Sequence, residues 1–142
     1  MTKTFLKIKR LKNGQQVRQF LRMVNFESAS ENPMVPGVLD ISPEEFYRKM
    51  SKVIAIDVRR HDEWIGELGH INGARLITLD VLNEGIDEFP KDETIVFICR
   101  SGARSARASA IAQARGFKSV YNLKGGMILW NELKYEVTSE DE

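Results

Sequence analysis

The residues best suited to do chemistry are seven in a row, Cys99-Arg100-Ser101-Gly102-Ala103-Arg104-Ser105, and Cys99 is the only cysteine among 142 residues. The apolar run Thr94-Ile95-Val96-Phe97-Ile98 precedes them and reads as a buried strand. Residues 106–115 follow, rich in alanine and strong in helix propensity. The thiol therefore stands where a strand hands over to a helix. Backbone N–H groups of a tight loop and of a first helical turn lack internal partners there. With the positive end of the helix dipole they form a site for an anion. Arg100 and Arg104 add two permanent positive charges. This setting favours the thiolate, which is the nucleophilic form of cysteine. A lone cysteine is more often a small buried apolar residue, but its place in this turn reverses that preference.

A second candidate group lies at another strand end. Val53-Ile54-Ala55-Ile56-Asp57 reads as a buried strand closing on a carboxylate. Asp57 and Arg59 are expected to orient the loop by hydrogen bonds and an ion pair, with Glu63 as a further partner. His70, within the turn Gly69-His70-Ile71-Asn72-Gly73, is expected to be structural, and His61 exposed. Ser101 and Ser105 suit caps and loop hydrogen bonds, and Gly102 suits an unusual backbone conformation. No His, Asp and Glu spacing suggests a metal. A single cysteine excludes an internal disulfide and a thiolate-cluster metal site.

Strands and helices alternate around these residues. Ser42-Pro43-Glu44-Glu45 is a helix start: an N-cap serine, an early proline, and a glutamate three residues after the serine. That helix is expected to reach about Met50. One or two helical turns follow at 61–68, a strand at 74–79, and a polar loop at 87–92. The helix after the cysteine should end at Arg115 with Gly116 as its cap. A strand at 119–123, a Lys124-Gly125-Gly126 turn and a helix at 127–133 complete the order. The result is an α/β fold: a central parallel sheet of about five strands with helices on both faces. Sites in such sheets sit at the C-terminal ends of strands, where Cys99 and Asp57 both lie.

Composition sets the outer bounds. A hydrophobic fraction of 42% and a charged fraction of 29% are ordinary for a globular chain. No uncharged run approaches the length of a membrane span. Residues 1–26 carry seven lysines and arginines and no acid, against +1 for the whole chain, which leaves −6 for the remainder. Such an arm suits an anionic surface, yet no nucleic-acid motif or row of stacking aromatics accompanies it, so no nucleic-acid partner is expected. A short strand at 4–11 and a helix at 15–25 are expected within it. Residues 1–36 read as a basic extension and linker, 37–137 as the folded domain, and 138–142 as an acidic tail that frays. A reducing compartment fits the cysteine count. The cytoplasm is expected, with a mitochondrial location as the lesser alternative.

From about residue 37 to 137 the sequence resembles a single-domain rhodanese, a sulfurtransferase. The resemblance rests on five features in order: Ile41-Ser42; Asp57-Val58-Arg59 with Glu63 downstream; Gly69-His70-Ile71-Asn72-Gly73-Ala74; the 99–105 loop; and Leu123-Lys124-Gly125-Gly126-Met127 followed by Trp130. Asn72 stands where the family has proline. The resemblance implies a persulfide on Cys99 and no further cofactor. Loop amides from Arg100, Ser101, Gly102, Ala103, Arg104 and Ser105 would hold the charged sulfur, and the two guanidinium groups would bind a thiosulfate-like dianion. A small thiol, thioredoxin or a sulfur carrier protein would accept the sulfur. Two alternatives stand beside it. A cysteine-based phosphatase or arsenate reductase would space Cys and Arg by five residues rather than the four found here. A non-catalytic module of the same family would have lost the cysteine.

Overall fold

A computed structural model describes residues 23–141. Its centre is β5, Thr94–Ile98, every residue of which is buried. The sheet runs in the order β1-β2-β6-β5-β3-β4. The strands are β1 (Ser30–Glu31), β2 (Leu39–Ile41), β3 (Ile54–Asp57), β4 (Arg75–Leu76), β5 and β6 (Ser119–Leu123). All pairs are parallel except β1 with β2. A central parallel strand is covered on both faces, which is why β5 is apolar throughout rather than alternating. Its side chains still divide by the period of two. Ile95 and Phe97 join Ala108 and Ala112 of α4 (Ala103–Ala114) on one face. Val96 and Ile98 join Phe46 of α1 (Pro43–Lys49), and Met127 and Trp130 of α5 (Gly126–Glu132), on the other. The alanines of α4 carry little side-chain bulk, so that helix lies close on the strands that deliver the cysteine.

The expected strands at 119–123 and 94–98 are found with those bounds. The sheet has six strands rather than about five, and one pairing is antiparallel. The extra pairing comes from the stretch 27–37, which was expected to be a linker. Phe26 beside it is 5% exposed and packs edge-on against Tyr121. The anchor is Glu45. Its carboxylate accepts the amides of Glu27 (2.8 Å) and Ser28 (2.7 Å) and the Lys49 ammonium (2.7 Å). Half of the expected capping box forms, since Ser42 Oγ accepts from the Glu45 amide at 3.2 Å. The returning half is replaced: the Ser42 amide donates to Ser28 Oγ at 3.0 Å. Burial alone would raise the Glu45 pKa, but hydrogen bonds from Lys49, Ser28 and the Glu27 amide outweigh it and lower the pKa to about 2.

The other differences have similar causes. The strand expected at 74–79 has a ladder of two residues, Arg75 and Leu76 against Ile56 and Asp57; past them the Ile77 and Leu79 amides still donate to the Asp57 and Val58 carbonyls, at 3.0 and 3.1 Å, as the chain enters a helical turn at Leu79. Short helical turns, Leu79–Val81, α3 (Leu82–Gly85) and Ile86–Glu88, precede and overlap the polar loop expected at 87–92. They bury Leu82, Ile86 and Phe89, an i, i+4, i+7 spacing present in the sequence. The 61–68 stretch forms one helical turn, α2 (His61–Trp64), within the one or two expected. The tail expected to fray is tied down by paired backbone bonds between His70 and Thr138, at 2.8 and 2.9 Å. The strand expected at 4–11 and most of the helix at 15–25 lie outside the described residues, and 23–25 are irregular. Among the described residues no helix is long and apolar enough to cross a membrane.

Candidate active site

Cys99 is the first residue past β5 and is 1% exposed. Its Sγ accepts a hydrogen bond from the Gly102 amide at 3.1 Å and faces Ser105 Oγ at 3.2 Å. Gly102 makes the first contact possible. Its φ of +106° turns the loop back on itself before α4 begins, a conformation that favours glycine. Two carbonyls at the start of the loop, those of Cys99 and Arg100, are taken by α5. The Met127 amide donates to Cys99 O at 2.9 Å and the Ile128 amide to Arg100 O at 3.0 Å. That approach requires a bare Gly126, where a Cβ would stand 2.4 Å from Cys99 O and 2.6 Å from the Arg100 carbonyl carbon. Two free N–H groups of one helix thus hold the loop while the Gly102 amide points at the sulfur.

The helix expected from 106 begins at Ala103, so Arg104 stands in the first turn of α4 while Arg100 stays in the loop, and the two arginines are not equivalent. Arg104 grips Glu63, Nη1 to Oε1 at 2.8 Å and Nη2 to Oε2 at 2.9 Å. The Arg104 hydrogen bonds hold the Glu63 carboxyl at about 2, and Glu63 in turn raises the Arg104 pKa. Arg100 is exposed and lines a cleft of about 200 Å³ with Arg59, Glu63 and Leu68. Ser101 and Ala103 are exposed on the loop's outer side and line a second cleft of about 560 Å³ with Met34, Arg107 and Lys124.

Asp57 and Arg59 form the expected ion pair, fully buried at 0% and 1% exposure. Arg59 Nε and Nη2 reach the two carboxylate oxygens at 2.9 and 2.8 Å. Arg59 also donates to the carbonyls of Gly69 (2.7 Å) and Glu63 (3.3 Å). Glu63 was expected to join this pair through its carboxylate; that carboxylate goes to Arg104 instead. His70 is structural: it stacks on Trp64 with rings 3.4 Å apart, and its Nδ1 lies 2.7 Å from the Trp64 carbonyl oxygen. His61 is exposed beside Asp141.

Two buried residues at the site went unnoticed in the sequence, Asn122 on β6 and Asp40 on β2. Asn122 Oδ1 meets Ser105 Oγ at 2.5 Å, and its Nδ2 donates to Asp40 Oδ1 at 2.9 Å. The available signal was an amide flanked by apolar residues in a buried strand. Among the described residues no group of three or more His, Cys, Asp or Glu could hold a metal ion.

The rhodanese-like domain family matches residues 42–133, and this chain belongs to that family. A probable adenylyltransferase/sulfurtransferase of Mycobacterium tuberculosis, MoeZ, is 41% identical over 81 residues, which are 56% of this chain and 20% of MoeZ. The chain thus matches about a fifth of that relative. A sulfurtransferase of Allochromatium vinosum is 38% identical over 78 residues, 55% of this chain and 71% of that one. The crystal structure of a rhodanese-related protein from Thermoplasma volcanium aligns with a TM-score of 0.66 and 28% identity, covering 71% of this chain and 98% of that one.

Proposed function

We propose that this protein is a sulfurtransferase that carries a sulfane sulfur on Cys99. The observation that carries the reading is the environment of Sγ: the Gly102 amide at 3.1 Å, the Ser105 hydroxyl at 3.2 Å, and the Cys99 and Arg100 carbonyls taken up by α5. A negative sulfur held there meets donors rather than acceptors. Membership of the family and relatives named as sulfurtransferases support the same reading.

The step balances with thiosulfate as donor. The Cys99 thiolate attacks the outer sulfur, a new S–S bond forms to Sγ, and the donor's S–S bond breaks. Sulfite leaves with the electron pair. An acceptor thiolate then attacks the outer sulfur of the persulfide, the Cys99 S–S bond breaks, and the thiolate of Cys99 returns. Arg100, exposed on the cleft it shares with Arg59 and Leu68, meets the anionic donor. Arg104, clamped by Glu63, braces the loop and reaches the donor only by leaving that carboxylate. A sulfur carrier protein or a small thiol is the acceptor class we assign. No cofactor enters.

Intact mass after incubation with thiosulfate tests the reading. One added sulfur, removed by a reducing thiol and absent in Cys99→Ser, is expected. Sulfur loading by a folded Cys99→Ser variant would sink it.

A further inference from the structure

One hydroxyl behind the cysteine serves two acceptors. Ser105 Oγ lies 3.2 Å from Cys99 Sγ and 2.5 Å from Asn122 Oδ1. A serine hydroxyl has a single proton to give. Asn122 cannot supply another, because its Nδ2 spends its hydrogens on Asp40 Oδ1 at 2.9 Å and on the Gly102 carbonyl at 3.2 Å. Turning the amide over would place Oδ1 against both of those acceptors, so its orientation is fixed. Asp40 Oδ1 is itself held by Asn32 Nδ2 at 2.9 Å. Ser105, Asn122 and Asp40 are 0%, 1% and 7% exposed. None of the three can readily turn to water for a missing partner, and a buried polar group without one is costly.

The consequence depends on the state of the sulfur. While sulfur carries a proton, Ser105 donates to Asn122 and offers a lone pair to the S–H. A charged sulfur can only accept. Ser105 must then turn its proton from Asn122 to the sulfur, or leave the charge to the Gly102 amide. We propose that Asn122, fixed by Asp40, is a positioning residue that competes with the Cys99 sulfur for the Ser105 proton and so sets how firmly the Cys99 thiolate is held. This rests on the sulfur-transfer reading above. Too strong a hold would blunt the attack of the thiolate on the donor; too weak a hold would leave less thiolate to load and a poorer leaving group on discharge.

The test separates loading by thiosulfate from discharge by a thiol, each followed by intact mass on the full chain. Ser105→Ala has no proton to give, so loading falls about tenfold, the scale of one hydrogen bond to a charged group. Asn122→Leu removes the competing acceptor: loading holds and discharge quickens severalfold, because the thiolate it returns is better held. The double variant loads as Ser105→Ala does, because without the hydroxyl the amide has no proton to compete for. A merely structural role would lower loading in every variant and add in the double one. Either result in folded protein overturns the inference. Should Asn122→Leu fail to fold, the infrared S–H stretch decides. One cysteine gives one band. In mildly acidic solution the wild-type band is expected below that of Ser105→Ala, and coincident bands overturn the arrangement. A wild type that gains sulfur neither from thiosulfate nor from polysulfide overturns the transfer reading itself, a result distinct from these.

Discussion

Arg59 and Arg104 each grip a carboxylate with two parallel hydrogen bonds, yet the two pairs differ in place and purpose. Asp57 and Arg59 are two residues apart and sealed from water. Arg59 spends its remaining hydrogens on the carbonyls of Gly69 and Glu63, so it fastens the end of β3 to the segment that follows. Glu63 and Arg104 come from segments 41 residues apart, with side chains 15% and 27% exposed. Geometry alone makes the pairs look alike. Burial separates them: the first is scaffold that cannot be opened cheaply, the second joins the loop helix to α2 at a surface that water and ligands reach.

The comparison can be broken most severely at Asp57. Asp57→Ala leaves a buried guanidinium uncompensated, and the expected loss is about 3–5 kcal/mol, a large part of what a domain of this size has. Urea denaturation measures it, and a loss below about 1 kcal/mol would place both pairs in one class. Arg104→Ala should act the other way round. Its cost in stability is about 1 kcal/mol, while kcat/KM for thiosulfate falls about tenfold. Glu63→Gln keeps the shape and frees the guanidinium, so thiosulfate use should rise by roughly twofold to fivefold; a fall would assign Glu63 a direct part instead.

Acid sharpens the contrast. Glu63 and Glu45 both titrate at about 2 in the folded chain against 4.5 for the free group. A lowered pKa contributes stability that is complete above the unfolded value and lost as pH falls through the folded one. Stability should therefore decline from about pH 4.5 toward pH 2, each group contributing at most about 3 kcal/mol. Glu63→Gln and Glu45→Gln should each flatten part of that decline in urea melts taken across the range. The smallest effect belongs to His61. Its contact with Asp141 is exposed on both sides, and His61→Ala should leave the melting temperature unchanged.

Much of this was legible before the structure. β5, β6, the loop and α4 follow from apolar runs and an alanine-rich stretch, because burial on both sides of a parallel strand erases other patterns. The Glu45 latch was not legible. A glutamate three residues after an N-cap serine satisfies the local rule, and only the folded chain shows that it turns to amides 17 and 18 residues away. Asn122 and Asp40 were missed for the same reason: a single polar residue in a strand says nothing of its partner 82 residues off. Glu63 was placed with the nearer arginine, whereas the helix turn presents it to the farther one.

The shelter of Cys99 has a consequence for oxidative chemistry. A disulfide needs its two Cβ atoms within about 4.5 Å. A sulfur 1% exposed, roofed by its own loop, cannot offer that approach to the thiol of another folded chain. The lone cysteine is thus guarded against dimerisation through a covalent bridge. A sulfur added to Cys99 would stand about 2 Å further out, one S–S bond length, within reach of a visitor that the protein's own sulfur refuses.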